Sequence, residues 1–135
     1  MTYLLDTNVC IRYLNGRSPA IKLRMQQLPR SAMCLCSVVR AELKYGAEKS
    51  QARDHTLAEL DRFLGTFESL PFGDSAADYY GKIRASLDRN GTPIGPNDLL
   101  IASIAVANGV VLVTNNHGEF ARVAELRWEN WEAER

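Results

Sequence analysis

Three acidic residues stand where the sequence pattern predicts buried structure. Asp6 directly follows "TYLL", an apolar run typical of a buried strand. Glu42 falls within the apolar stripe of a predicted helix, and Asp98 is in the first turn of a helix that is otherwise almost wholly apolar. A buried carboxylate costs several kcal/mol unless a hydrogen bond, a cation or a metal ion compensates it. These three positions are therefore candidates for chemistry that uses acidic groups.

Glu42 is placed by the helical wheel of the segment "SVVRAELKYGA". It lies between Val38 and Gly46 on the apolar side, whereas Arg40 and Lys44 lie on the opposite face. A glutamate in that position faces the protein interior. The alternative is a glutamate at the mouth of the stripe that pairs with an arginine.

Local explanations exist for the other two acids. Asp6 could cap the helix that follows it. Asp98 could simply favour the positive end of its helix, which is worth about 0.3–1 kcal/mol. Three converging carboxylates, however, would raise one another's pKa and destabilise the fold. Magnesium or manganese removes that conflict, because these ions take oxygen ligands and need few from the protein.

A fourth group is expected after the strand-like run "VVLVT", which ends at Thr114. The next residues include Asn116, which is neutral, and Glu119, the nearest acid. The asparagines could equally form a turn, and Glu119 could face solvent.

Short apolar runs alternate with helical patterns along the chain, which predicts an α/β fold with a parallel sheet of four to five strands flanked by helices. In such sheets ligands bind beyond the carboxyl ends of the strands. Asp6 and the segment after Thr114 lie at such ends. The predicted strands cover residues 2–6, 32–37, 68–72, 110–114 and 126–131, and the predicted helices cover 7–16, 18–28, 37–50, 52–67, 75–91, 96–109 and 117–123.

Composition narrows the class of protein. The 135 residues are 46% hydrophobic and 24% charged, as expected for one globular domain over 1–135. No segment resembles a membrane span or a secretion signal, so a cytoplasmic protein without a membrane partner is expected. Three cysteines without a C-x-x-C pattern read as buried thiols, not as a zinc site or a disulfide framework.

Charge is unevenly divided although it sums to zero. Residues 1–50 hold eight Lys and Arg against three acids, a net charge of +5, and residues 51–135 hold eight against thirteen, a net charge of −5. Either the solvated faces simply differ, or a basic strip in the first half attracts a polyanion. The total excludes a strongly basic, non-specific nucleic-acid binder.

Four stretches carry a resemblance that spans nearly the whole chain. They are "LLDTN" at 4–8, "AEL.YGAEKS" at 41–50, "GTPIGPNDLLIA" at 91–102 and "LVTNNHGEF.RV..L..ENW" at 112–131. In this order they resemble the PIN-domain family, and more narrowly the VapC ribonuclease toxins of bacterial type II toxin–antitoxin pairs. The resemblance implies a PIN-like α/β/α sandwich.

The resemblance also assigns roles to the acidic residues. Asp6, Glu42 and Asp98 become the core catalytic acids that bind magnesium or manganese, with Asp6 and Asp98 as metal ligands. The family often places a fourth acid where this chain has Asn116, so the resemblance implies that Glu119 takes that catalytic role. Residues expected to orient these groups are Thr7, Asn8, Thr114 and Asn116.

The implied activity is endonucleolytic hydrolysis of a phosphodiester in structured RNA, chiefly transfer RNA, by metal-activated water. The resemblance further implies a homodimer and a cognate VapB-type antitoxin, which lays a helix into an apolar groove and makes the contacts to operator DNA. Charge alone suggests contacts to RNA phosphates, and the candidates for those contacts are Arg12, Arg40, Lys44 and Arg84.

Other classes of protein fit the residues less well. A haloacid-dehalogenase-like phosphatase needs a second aspartate where this chain has Asn8, and a receiver-like domain needs a lysine after the last core strand. DNA-directed nucleases of the wider PIN group carry more acids and a helical arch. A catalytically inactive PIN fold that serves as a binding scaffold is the alternative that the neutral Asn116 keeps open.

Overall fold

A central sheet of five parallel strands organises the chain in a computed structural model, which describes residues 1–133. The strand order is β3-β2-β1-β4-β5, and every neighbouring pair is parallel. The strands are β1 (Tyr3–Leu5), β2 (Met33–Cys36), β3 (Glu68–Leu70), β4 (Val111–Val113) and β5 (Trp128–Glu129).

Seven α-helices within residues 1–133 connect and flank these strands. They are α1 (Thr7–Leu14), α2 (Pro19–Gln27), α3 (Ser37–Glu48), α4 (Arg53–Leu64), α5 (Asp74–Arg89), α6 (Pro96–Asn108) and α7 (His117–Phe120). One turn of 3₁₀ helix, Arg30–Ala32, precedes β2. Each strand lies within a predicted strand. Each α-helix lies within a predicted helical segment except α5, which begins one residue before its predicted segment.

The core lies at the centre of the sheet. The β2 and β4 strands are buried throughout, and Leu4 and Leu5 of β1 have no exposed surface. Continuous apolar strands of this kind are typical of a parallel sheet covered on both faces. The three cysteines are buried free thiols, as predicted.

Strand order places the candidate site. The chain moves outward from β1 to β2 and β3 and then returns to β4 on the other side of β1. The order therefore reverses beside β1, and in open α/β sheets the ligand-binding crevice lies beyond the carboxyl ends of the strands at such a point. Asp6 follows β1 and Thr114 follows β4 at this position.

Abrupt junctions between strands and helices bring the acidic residues to the same edge. Only Asp6 separates β1 from α1, and β2 continues directly into α3. Asp98 lies in the first turn of α6, which begins with Pro96 at a position where a missing N–H costs nothing.

No helix within residues 1–133 is long and apolar enough to cross a membrane.

Candidate active site

Asp6 is a buried carboxylate, 4% exposed, at the end of β1. The Thr7 N–H donates to its Oδ1 at 2.8 Å, and the Thr114 hydroxyl donates to its Oδ2 at 2.8 Å. Asp6 is thus the N-cap residue of α1, as the local explanation expects, but its second oxygen accepts a hydrogen bond from the residue that follows β4. Burial raises the pKa of Asp6, against the lowering effect of these two hydrogen bonds, and the nearby Glu42 charge raises it further. Without a compensating cation, burial and the Glu42 charge thus disfavour the ionised form of Asp6.

Thr114 joins the ends of β1 and β4. Its side chain is fully buried, and its hydroxyl accepts a hydrogen bond from the Asn116 N–H at 3.0 Å while it donates to Asp6. Because the hydroxyl acts both as a donor and as an acceptor, it links the orientation of Asp6 to the turn that follows β4.

Glu42 is half-buried and faces α1, as the helical wheel predicts. The Thr7 hydroxyl donates to its Oε1 at 2.7 Å. Within residues 1–133 Glu42 forms no ion pair with an arginine or lysine. The alternative of an arginine-paired glutamate is therefore not what this part of the chain adopts.

Asp98 and Glu119 meet around Asn116. The Asn116 side-chain amide donates to Asp98 Oδ2 at 3.0 Å and to Glu119 Oε2 at 3.3 Å. The Gly95 N–H also donates to Glu119 Oε2, at 3.4 Å. Glu119 is therefore turned toward the other acids and held there, and it is not simply a solvent-facing charge.

The pKa values of these two carboxyl groups are pushed apart. Burial raises the pKa of Asp98 to about 7, and the hydrogen bond with Glu119 and the negative charges of Asp6, Glu119 and Glu42 act in the same direction. The same hydrogen bond lowers the pKa of Glu119, which the Gly95 N–H and the Asn116 amide also stabilise as an anion. In the metal-free site Asp98 is therefore the more readily protonated of the two carboxyl groups.

The cluster fits a cation that keeps most of its water. No three His, Cys, Asp or Glu side chains among residues 1–133 are arranged as a ready-made metal site. Every candidate ligand is nonetheless a carboxylate, and burial raises the pKa of Asp6 and of Asp98, as expected of acidic groups that lack a compensating positive charge. Magnesium suits such a site, because it commonly takes only one or two protein carboxylates with water and substrate phosphate.

The remaining predicted residues lie outside this cluster. Asn8 is exposed beside Thr7 and Glu42 in a surface groove. The charge-based candidates are mostly engaged elsewhere: Arg12 pairs with Glu132 at 2.8 Å, Lys44 with Asp61, and Arg84 with the Tyr80 hydroxyl at 2.9 Å. Arg40 is exposed on the face of α3 away from Glu42. Their contacts with RNA remain predictions.

Sequence reasoning did not single out Gly95, although "IGPND" contains it. A Cβ at this position would lie 3.7 Å from both Asp98 Oδ2 and Glu119 Oε2. The residue therefore lines the gap between the two carboxylates, and its N–H binds one of them. The signal was its position directly before the first turn of α6.

Comparison with known proteins identifies the family to which the chain belongs. The family model described as "PIN domain" matches residues 3–126. The chain is 43% identical over 131 residues to the tRNA(fMet)-specific endonuclease VapC of Salmonella typhimurium, covering 97% of this chain and 98% of that protein. It is 41% identical to the protein of the same name from Shigella flexneri, with the same coverage, and 40% identical over 133 residues to ribonuclease VapC2 of Rickettsia felis, covering 98% of this chain and 99% of that protein. The chain belongs to the VapC family of PIN-domain proteins.

Solved members of the family have the same fold. A chain in the crystal structure of DNA-bound VapBC from Salmonella typhimurium matches with a TM-score of 0.91 at 42% identity, covering 97% of this chain and 98% of that one. A chain in the structure of VapBC2 from Rickettsia felis bound to a promoter DNA fragment matches with a TM-score of 0.90 at 39% identity, covering 97% and 99%. The predicted family and the predicted fold class are confirmed.

Proposed function

We propose that this chain is a toxin endoribonuclease that hydrolyses a phosphodiester bond in transfer RNA. The observation that carries the proposal is the set of four carboxyl groups at the switch point of the sheet, with Asp98 and Glu119 bridged by one asparagine amide. The relatives at 41% and 43% identity are named for tRNA(fMet), so initiator transfer RNA is the first substrate to test.

The chain's own residues provide a fixed frame for the reaction. Thr114 orients Asp6, and Thr7 orients Glu42. Asn116 holds Asp98 and Glu119 side by side, which fixes both carboxyl groups at this edge of the site. Orienting partners of this kind commonly determine the affinity and activity of a carboxylate site.

Asp6 and Asp98 are the residues that would hold magnesium, with manganese as an alternative ion. The bound ion would supply the positive charge that these carboxylates lack and a water activated for attack on phosphorus. Asp6 is the better fixed of the two, because the Thr7 N–H donates to one of its oxygens and the Thr114 hydroxyl donates to the other.

An apolar groove near the site is the proposed seat of a VapB-type antitoxin. It encloses about 360 Å³ and lies between α1, α3 and α4. Ile11 and Leu14 are each 43% exposed there, and the apolar face of an amphipathic helix would cover both side chains. Glu42 lines the same groove, so a helix seated there would lie against the acidic cluster.

We also propose that the chain forms a homodimer, and that the antitoxin makes the contacts with operator DNA.

The decisive test compares wild-type protein with Asp98→Asn. The purified chain, free of antitoxin, is incubated with an initiator transfer RNA transcript and with total bacterial RNA in magnesium, in manganese and in EDTA, and product ends are mapped. We expect discrete cuts that need the metal ion and disappear in Asp98→Asn, because the variant removes a charged ligand.

Asp78→Asn is the matched control, since Asp78 is an exposed acid of α5. It should cleave like wild type. Unchanged cleavage by Asp98→Asn would refute the proposed role of the site. A folded wild-type chain that binds manganese but cuts no RNA would instead favour the inactive scaffold.

A further inference from the structure

A second groove extends the acidic cluster along α3. It encloses about 780 Å³ and includes Thr7 and Glu42 at one side, Asn97 at the start of α6, and Tyr45 and Lys49 toward the end of α3. Unlike the apolar groove between α1, α3 and α4, it brings acidic, aromatic and cationic side chains together. Its contents suit a substrate that carries both charge and flat rings.

Tyr45 is the most unusual residue of this groove. It follows Glu42 by three residues, on the same side of α3, and is 66% exposed. An aromatic ring this open gains little from the hydrophobic core, so packing does not explain its position. Most of the side chain is open to a ligand even though Lys49 lies over the ring.

Lys49 lies directly after α3 and faces the same ring. Its Nζ is 4.8 Å from the Tyr45 ring centroid. The neighbouring acid, Glu48, pairs with Arg53 at 2.7 Å, and within residues 1–133 Lys49 forms no ion pair. The groove thus holds a cation whose charge no carboxylate of the described chain neutralises.

RNA is a ligand whose chemistry suits this combination. Grooves that bind single-stranded nucleic acid join cations, which contact phosphates, to aromatic rings, on which unpaired bases stack. The other ionisable group in this groove is Glu42, which repels phosphate. Lys49 lies about 10 Å from Glu42 along the helix axis, at 1.5 Å per residue, and so outside the acidic cluster but near enough for a nucleotide flanking the cut bond.

We propose that Tyr45 and Lys49 form a nucleotide-binding subsite, in which Tyr45 stacks on an unpaired base of the RNA substrate and Lys49 contacts its phosphate. The proposal rests on the proposed ribonuclease activity and adds to it the part of the surface that positions the RNA. Both are positioning residues, because neither lies within the acidic cluster.

The test measures RNA binding without cleavage. Full-length Asp98→Asn protein is titrated into a fluorescein-labelled initiator transfer RNA transcript at several salt concentrations in EDTA. Adding Tyr45→Leu should weaken binding by at least about five-fold, the lower end for loss of one stacked base, whereas Tyr45→Phe should bind normally. Adding Lys49→Ala should weaken binding and reduce the slope of log K against log salt by about 0.7, the value for one phosphate contact on a single strand.

A matched pair on α5 controls for non-specific charge effects. Lys82 Nζ lies 5.5 Å from the Tyr79 ring, which reproduces the lysine–tyrosine pair outside the groove. Lys82→Ala should leave both affinity and salt slope unchanged. In the cleaving chain, Tyr45→Leu and Lys49→Ala should raise KM and leave kcat near wild type, since the lost contacts hold ground state and transition state alike.

Two outcomes would overturn the subsite and leave the nuclease intact. One is that Tyr45→Leu and Lys49→Ala bind and cleave the transcript like wild type. The other is that they weaken only the binding of the antitoxin, which would make the pair a protein contact. Failure of the wild-type chain to cut any RNA would instead refute the proposed function itself.

Discussion

Asp98 lies among three other carboxyl groups, and its titration should be measurable in the folding of the metal-free protein. Its pKa is about 7 in the folded chain, mainly because it is buried, against an ordinary value of 3.8. Between about pH 4 and pH 7 the unfolded chain therefore releases a proton that the folded chain keeps. The free energy of unfolding must fall as pH rises through this window.

Replacing Asp98 with asparagine should remove this penalty. In EDTA, Asp98→Asn should be more stable than wild type by about 1–4 kcal/mol at pH 8 and by close to nothing at pH 4, at 1.36 kcal/mol per pKa unit. The lowered pKa of Glu119, which arises from the same hydrogen bond, opposes part of the gain. Urea unfolding at the two pH values measures the difference.

Asp78→Asn again serves as the control, because this exposed carboxyl has no acidic cluster around it. Its effect should be small and alike at both pH values. An Asp98→Asn gain that is equal at pH 4 and pH 8 would mean that titration of this group does not govern the stability of the site.

At the scale of elements, the ends of the helices set the position of the acids. Gly109 directly follows the last residue of α6, its φ of +62° lies in the left-handed region, and the chain then turns into β4. A side chain is strained in that conformation by roughly 1–2 kcal/mol. The helix that carries Asp98 at its start is thus joined to the strand before Thr114 by a turn that favours glycine.

Two glycine-to-alanine substitutions should therefore act in opposite directions. Gly109→Ala should lower the free energy of unfolding by about 1 kcal/mol or more because of its positive φ. Gly81→Ala, inside α5 where an added Cβ meets nothing within 4 Å, should raise it by about 0.5–1 kcal/mol. Urea unfolding of both variants compares them directly, and equal signs would contradict the argument.

These elements could be predicted because local signals agree with the tertiary structure. Ser18 caps α2, accepting from the Ile21 N–H, and Pro19 is the first residue of that helix, both as the sequence indicates. The inward orientation of Glu42 also follows from helical periodicity. In each case the spacing along one element is sufficient.

Contacts between distant elements could not be predicted in the same way. Asn116 bridges Asp98 and Glu119 because α7 folds back toward the start of α6, and no spacing along the chain specifies that approach. Similarly, charge alone suggested Arg12 as a phosphate contact, whereas its partner Glu132 lies 120 residues away. Roles that depend on such contacts require the three-dimensional structure.

At the scale of the whole molecule, two grooves meet at Glu42. The apolar groove of α1, α3 and α4 and the second groove along α3 both include Ile11, Glu42 and Gly46. A partner in the first groove would therefore crowd the entrance to the second. Inhibition by an antitoxin then needs no change in the acidic cluster itself.

This arrangement predicts that neutralisation and catalysis can be separated by mutation. Leu14→Glu places a charge in the apolar groove, and burying it under a partner helix is unfavourable. Affinity for the antitoxin, measured by isothermal titration calorimetry, should fall by at least about tenfold, which corresponds to 1.4 kcal/mol. Cleavage of RNA by the free variant should stay near wild type, because Leu14 does not line the second groove along α3.

Leu23→Glu is the matched control for this experiment. Leu23 is 56% exposed on α2 and lies outside both grooves, so the same change there should leave antitoxin affinity unchanged. If the two variants bind the antitoxin equally well, its helix is seated elsewhere. Inhibition would then have to reach Glu42 and Asp6 from a different face of the molecule, and not through crowding at the point that the two grooves share.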